Sequence, residues 1–574
     1  MTCKTMTRFD LLSALLAGSL LALPAGAEIV LTDVTADVGI HGNQYRSDTG
    51  HSLGVNWIDY DRDGWPDLFA VAGGPSLPTG TLHLFHNLRD GTFDRVDHLL
   101  PVLPDVEMSG SRFADYDRDG DPDIFIYTDN PDFHTTETNL PDGPPNLLLR
   151  NLWVENGHRL VEGEPLFEEV AAEAGLEDLV DPPFGDLPAY RSKTAGFVDY
   201  DRDGCIDLFV GHMVMNSGGS EVNKDRLYRN LCDGTFEDVT AASGVNPGTD
   251  PDSYRGALAF IAAHLDGDLW PELYVINAAG ADPQPYINDQ LYRNLGGVEG
   301  AAFAEVTGTM AGIGDDAQAG MGADVADVDH DGDWDLYISD ILNTTRDELP
   351  LGNVLYLGNG DGTFADNSAP AAGVVGHNSW GINFFDVDHD TFEDLFVATT
   401  AAANTEILYR NDGDGTFTNV ADTAGVVTGN SRGSAVADYD RDGDLDLAVI
   451  NQGGPLQLFR NDTTDLGAWL QLELVGTESN PDAIGTVVEV TAGGVVLRRQ
   501  IEGGSSAHSQ DSPTVHFGLG DATVATEVRI RWPSGAETVL VDQPVDRFVE
   551  VIEGALFVDG FESGDLSGWS VVVP

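Results

Sequence analysis

The chain has 574 residues, 96 of them acidic against 28 basic, and a formal net charge of -68. So acidic a surface argues against nucleic acid and anionic membrane as partners. The length allows two domains or more.

Residues 1–27 read as a secretory signal. Lys4 and Arg8 form the basic end, Leu11 to Leu23 is apolar, and Ala25-Gly26-Ala27 is an A-x-A cleavage site that leaves Glu28 as the first mature residue. The apolar stretch is too short for a membrane span, and no other run approaches the necessary length. The protein is therefore expected to be secreted or at the cell surface, with the periplasm as a further destination. Disulfides persist in such compartments.

The next element, Leu31-Thr32-Asp33-Val34-Thr35, is a strand without the rest of a repeat. Then a pattern begins: a strand, an Asp-rich loop of nine residues, and another strand. The first loop carries Asp59, Asp61, Asp63 and Asp67 at positions 1, 3, 5 and 9, with Gly64 at position 6. The second carries Asp115, Asp117, Asp119 and Asp123, and the third Asp199, Asp201, Asp203 and Asp207. A worn copy follows at 264–272, where His264 and Leu269 break the pattern; it is left out of the metal set. Complete copies resume with Asp327, Asp329, Asp331 and Asp335, then Asp386, Asp388, Asp390 and Asp394, then Asp438, Asp440, Asp442 and Asp446. In the copy at 386, Thr391 replaces the glycine.

Carboxylates at 1, 3, 5 and 9 and a backbone carbonyl at 7 can surround a hard cation that takes six to eight oxygens, which points to Ca2+. Glycine at position 6 permits the sharp turn. The loops are not EF-hands. Those need Glu at position 12 and flanking helices, whereas position 12 here is Ala70, Ile126, Val210, Ile338, Val397 or Val449, inside β-rich flanks. An Asp-rich turn without metal is the competing reading, but four carboxylates in one turn repel each other unless a cation joins them.

Two further marks accompany each loop. One is an apolar strand ending in Arg-Asn or its equivalent: Phe85-His86-Asn87, Leu149-Arg150-Asn151, Tyr228-Arg229-Asn230, Tyr292-Arg293-Asn294, Tyr356-Leu357-Gly358, Tyr409-Arg410-Asn411 and Phe459-Arg460-Asn461. The other is Gly-Thr-Phe before a short strand, as at Gly234-Thr235-Phe236. Loop starts 52–84 residues apart suit a four-stranded propeller blade. The expected fold is all-β, a seven-bladed β-propeller over 28–464 in which the orphan strand at 31–35 pairs with the one ending at Asn461 and closes the ring. Insertions at 129–146 and 176–190 decorate the second and third blades. Cys205, at position 7 of the third loop, and Cys232, just past the third strand, lie at neighbouring ends of antiparallel strands. They are expected to form a disulfide, since adjacent strands lie about 4.7–4.9 Å apart.

From 465 to 553 the repeats stop. Leu470, Leu472 and Leu474 alternate with Gln471 and Glu473, and Val528-Arg529-Ile530-Arg531-Trp532 does the same, so a small β-sandwich-like domain is expected. His508 and His516, with Ser505, Ser506 and Ser509, read there as a polar surface strand. Residues 554–574 form a C-terminal tail.

The loops with their Leu-Tyr-Arg-Asn and Gly-Thr-Phe companions resemble FG-GAP/VCBS repeats, as in integrin α propellers. That resemblance implies calcium in each turn between the first and second strands. The segments Asn480-Pro481-Asp482-Ala483-Ile484-Gly485, His516-Phe517-Gly518-Leu519-Gly520 and Trp532-Pro533-Ser534-Gly535 are similar to an ASPIC/UnbV domain, with Pro481 where that family has Arg.

Gly429-Asn430-Ser431-Arg432-Gly433 matches G-x-S-x-G, but a nucleophile elbow joins a strand to a helix, and Ser431 opens a strand of the repeat. No catalytic set emerges. Trp57, Trp65, Trp270 and Trp380 stand at repeat positions and read as packing residues. The expected function is a monomeric extracellular binding or adhesion module for a protein or glycan ligand. The alternative is a secreted enzyme acting on polysaccharide or another extracellular substrate, with its site in the insertions or the C-terminal domain.

Overall fold

The computed structural model describes residues 28–40, 45, 53–72, 81–103, 107–129, 146–176, 192–212, 225–245, 256–277, 289–296, 302–307, 313, 320–341, 352–365, 368–376, 378–400, 407–555 and 558–559. The signal segment, most of both insertions and most of the tail lie outside them.

The first complete sheet shows the repeating unit. Leu53–Ile58, Asp67–Ala72, Thr81–Asn87 and Phe93–Arg95 pair antiparallel in sequence order. Six further sheets among the described residues begin with Glu107–Ala114, Ser192–Val198, Ala257–Ala263, Gly320–Ala326, Ser379–Phe385 and Ser431–Ala437. Each first strand touches the first strand of the next sheet, and Ser431–Ala437 touches Leu53–Ile58, so the sheets close into a β-propeller. The last sheet takes its fourth strand from the start of the chain: Leu31 faces Asn461 and Asp33 faces Phe459. Closure leaves no open edge between the first and last sheets.

Second strands such as Asp207–His212 and Glu272–Asn277 are buried along their whole length. Each sheet is covered on both faces by its neighbours, which is why these strands read as continuous apolar runs rather than alternating ones. Between the third and fourth sheets Phe209 and Phe260 stack with centroids 4.1 Å apart, packed with Val198 and Val275. Trp57 is buried in the seam between the last and first sheets, and Trp380 is buried beside Ala507, Leu258 and Met321.

After the ring come two more sheets. Ala468–Val475 lies between Val515–Gly520 and Arg547–Ile552, pairing parallel to the latter. Val487–Ala492 lies between Val495–Gln500 and Val524–Arg531, with Glu537–Pro544 at the edge. Leu470, Leu472, Val488, Val490, Phe517, Val528, Ile530 and Trp532 form their shared core, as the alternation requires. That core continues into Tyr116, Phe125, Phe197 and Leu208 of the second and third propeller sheets.

The segment 503–511 corrects the reading of a polar surface strand. Ser505, Ser506, Ser509, His508 and His516 are all buried. The segment runs through the middle of the propeller, bonding to first strands around the ring. Gly503 bridges Phe197, and Gln510 bridges Asn56. Ser506 N–H donates to Ala323 O at 2.9 Å, Ser506 Oγ accepts from Ile382 N at 3.0 Å, and Ser509 Oγ accepts from Val55 N at 3.2 Å. Asp511 accepts from Val436 N at 2.8 Å. The wholly buried Arg112 donates to Ala195 O at 2.8 Å and Ser509 O at 2.9 Å, and such bonds offset the cost of burying a charge. Glycines on the first strands make the room: a Cβ at Gly54 would stand 2.2 Å from His508 O, and one at Gly433 2.4 Å from Ser509 Oγ. Polar side chains line this segment because the strands facing it are also polar there, not because water does.

Candidate metal centres

Each Asp loop is tied around its first carboxylate. Asp59 accepts from Asp63 N at 2.9 Å and Gly64 N at 2.8 Å. The same pair of bonds recurs at Asp115, Asp199, Asp386 and Asp438; at Asp327 the bond from Gly332 N is kept, at 3.2 Å. Position 5 accepts from the N–H of position 7, as in Asp63 to Trp65 and Asp203 to Cys205. Position 4 takes a positive φ in every copy: Arg62, Arg118, Arg202, His330, His389 and Arg441 lie between 53° and 62°. Thr391 adopts φ 89° where the other copies have glycine, a strained conformation for a β-branched residue.

The position-3 carboxylates are different. Oδ1 of Asp61, Asp117, Asp201 and Asp440, and both oxygens of Asp388, are buried without a hydrogen-bond partner, as is Oδ1 of Asp327. Carboxylate oxygens of Asp59, Asp61 and Asp63, and of Asp115, Asp117 and Asp123, lie within 4.8 Å of one another. In the other loops Asp207 faces Asp201, Asp199 and Asp203; Asp335 faces Asp329 and Asp327; Asp394 faces Asp388, Asp386 and Asp390; Asp446 faces Asp440, Asp438 and Asp442. Burial first, and these neighbours next, push Asp199 and Asp388 up to about 7, while burial raises Asp335 to about 8. Clustered, dehydrated carboxylates with unused oxygens fit a hard divalent cation.

The Arg-Asn mark acquires a role that sequence reasoning missed. The asparagine N–H donates to the position-9 carboxylate, as in Asn151 to Asp123 at 2.8 Å. Its side-chain amide reaches the position-2 carbonyl of another loop: Asn151 to Tyr60, Asn230 to Tyr116, Asn294 to Tyr200, Asn411 to Val328, Asn461 to Val387, and Asn87 to Tyr439 across the closure, at 2.7–2.9 Å. The invariance of asparagine in six of the seven marks was the available signal. The arginine serves the carboxylates: Arg229 lies 2.7 Å from both Asp201 and Asp203. Position 4 joins neighbouring loops, Arg62 to Gly120 O at 3.1 Å, Arg118 to Gly204 O at 2.9 Å and Arg441 to Gly64 O.

The C-terminal sheets sit on this loop-bearing rim. Asp482 pairs with Arg62 at 2.9 Å and accepts from Asp115 N at 2.6 Å, joining two loops. Arg118 donates to Thr477 O, and Arg202 to Pro533 O. Arg499 pairs with Glu393 and His389 contacts Gly467 O. The worn loop keeps its turn, with Glu272 accepting from Leu265 N at 3.0 Å, but its His264 meets Gly485 O at 2.8 Å. Its departure from the motif thus coincides with a docking contact.

Cys205 and Cys232 are joined in a disulfide with Cα atoms 5.6 Å apart, as their strand positions require. Ser431 is buried, its Oγ 3.2 Å from Asn451 Oδ1. No helix among the described residues is long and apolar enough to cross a membrane.

Family comparisons agree with the two parts of this architecture. The FG-GAP-like repeat profile matches residues 59–126, 199–275 and 386–449, and the ASPIC and UnbV profile matches 476–556. The chain is similar to cartilage acidic protein 1 of Homo sapiens, 24% identical over 376 residues, which are 63% of this chain and 53% of that protein. The Mus musculus protein is 28% identical over 377 residues, 63% and 54% of the two chains. The Xenopus tropicalis protein is 27% identical over 229 residues, 36% and 33%. The match therefore spans no more than 54% of the length of these relatives.

Proposed function

We propose, for a chain that carries FG-GAP-like repeats followed by an ASPIC and UnbV domain, that it is an extracellular, calcium-stabilised binding module for a protein or glycan ligand. The observation that carries the metal reading is the recurrence of buried, unpartnered carboxylate oxygens at position 3 of five loops. The Asp residues at positions 1, 3, 5 and 9 and the carbonyl at position 7 would hold each ion. The ion would supply the positive charge that the turn lacks. Residues 1–27 as an export signal and the Cys205–Cys232 bridge support an oxidising compartment.

Binding rather than turnover is supported by the state of the one serine that fits a nucleophile motif, which is enclosed in a strand. The loop rim is covered by the C-terminal sheets and the centre of the ring is filled by 503–511. The opposite rim, where second strands end and third strands begin, is the proposed ligand face. The test combines metal content with ligand capture on mature protein. Equilibrium dialysis should show several calcium ions, and a glycan array or pulldown should return a ligand. An unchanged melting temperature and protease resistance in chelator would sink the calcium reading. Polysaccharide turnover abolished by Ser431→Ala would replace binding by catalysis.

A further inference from the structure

The first loop departs from its copies in one strand position. Where the third strand ends in Arg150, Arg229, Arg293, Arg410 or Arg460 elsewhere, and in Leu357 once, it ends here in His86. An arginine cannot ligate a metal, and an imidazole nitrogen can. Nδ1 of His86 lies 3.1 Å from Asp67 Oδ1 and 3.9 Å from Asp61 Oδ2. Donor atoms of the three residues all fall within 4.8 Å of one another. Ligands at about 2.1 Å from one ion stand roughly 3.0–3.4 Å from each other, so small rotations would bring all three onto a shared centre. The Tyr60 ring packs edge-on against the imidazole at 5.7 Å and limits its rotation.

A second, independent difference concerns Asp67, which is 1% exposed. In the other loops both oxygens of the position-9 carboxylate are engaged by backbone. The N–H of position 2 donates to Asp123, Asp207, Asp335, Asp394, Asp446 and Glu272. Asp67 lacks that bond, and its Oδ2 is buried without a partner, as is Asp61 Oδ1. Asp63 is held by Arg89, with Nε at 2.8 Å, much as Asp203 is held by Arg229 in the third loop. One nitrogen and two carboxylates thus converge, with Asp67 buried and Asp61 and His86 half-buried.

We propose that the first loop is a site for a borderline divalent transition metal of the Co2+ or Zn2+ kind, held by Asp61, Asp67 and His86, and that it differs in this from its five complete copies. Imidazole is a poor ligand for calcium and a good one for these ions, whereas carboxylates serve both. The inference rests on reading the Asp loops as metal centres.

The test uses full mature protein dialysed against millimolar calcium with limiting cobalt(II), and reads calcium content, cobalt content and the visible d–d bands of bound cobalt. One cobalt per chain is expected, lost in His86→Arg, which installs the residue the repeat uses elsewhere. His86→Ala, which asks the neighbours to accommodate nothing new, should lose it as well. Calcium in the other loops should persist in both variants. Calcium filling the loops with no cobalt retained, or cobalt retained by both variants, would overturn the proposal and leave His86 as a hydrogen-bond partner of Asp67. Cobalt bound through His86 with no calcium anywhere would support this site while removing the calcium reading of the others.

Discussion

The Asp loops and the segment 503–511 both place polar side chains in buried surroundings, yet they are built in opposite ways. Each loop is folded by its own nine residues, with position 1 bonding to positions 5 and 6 and position 5 to position 7. The segment 503–511 makes most of its bonds to residues 75 to 454 positions away, such as Val55, Arg112, Phe113 and Ala323. A locally closed turn leaves carboxylate oxygens over, which the proposed ions would engage. A segment satisfied by six different first strands leaves little over and instead depends on the whole ring being assembled.

Removing metal should strike the loops hardest. A site held at one hundred times its dissociation constant adds about 2.7 kcal/mol, so several sites together rival the roughly 5–15 kcal/mol that holds a typical domain folded. Chelator is expected to lower the melting temperature by tens of degrees, read by circular dichroism. A loss confined to the C-terminal domain would instead mean that the loops stand without ions.

Next in size is the disulfide, which supports a single loop. Cys205→Ser with Cys232→Ser should cost about 3 kcal/mol, measured by urea unfolding, with the third sheet becoming the earliest to exchange its amide hydrogens. Equal protection in all sheets would show that the bridge is redundant there.

The plug is tested from the ring side. Gly54→Val drives a side chain against the His508 carbonyl, and overpacking of this kind costs about 1–3 kcal/mol. Limited proteolysis should then release the C-terminal domain while calcium stoichiometry holds. Simultaneous loss of both would show that loops and plug are one cooperative unit.

The smallest effect is one of pH, where loops and C-terminal sheets meet. Burial holds the His516 imidazole well below its ordinary value, aided by His389 and Arg499, and its Nε2 donates to Gly443 O at 2.9 Å beside the Trp469 ring. The unfolded chain takes up a proton that the folded one refuses. Stability is therefore fully present above pH about 6.5 and falls by about 1.4 kcal/mol for each unit below it, until the folded imidazole also protonates. Burial also holds His264, His330 and His389 low, so denaturant midpoints should fall from pH 7 to 5 in both chains, but less steeply in His516→Gln than in the native one.

The fold class and the Asp loops were legible because both are periodic. An Asp at every second position, a Gly-Thr-Phe turn and an apolar strand recur, and one repeat explains the next. The orphan strand at 31–33 was legible as well, since a ring of four-stranded units that begins on a fourth strand must end on a third. The bridge between Cys205 and Cys232 followed from strand order. The roles of the asparagines and of the position-4 arginines were visible as patterns but not as bonds, because their partners lie on other sheets.

The sequence by itself thus determined what is encoded by short-range spacing: the β class, the repeat, its closure, and the carboxylates gathered in each turn. Only the tertiary structure decided what depends on distant strands meeting. It turned Ser505, Ser506, His508 and Ser509 from an apparent surface strand into the filling of the ring, and set His264 against the C-terminal domain. It also showed that Asp67 alone among its equivalents keeps a free oxygen beside a histidine. Polarity in a sequence predicts exposure only when water is the available partner. Where the strands of the ring supply the donors and acceptors, the same residues belong inside.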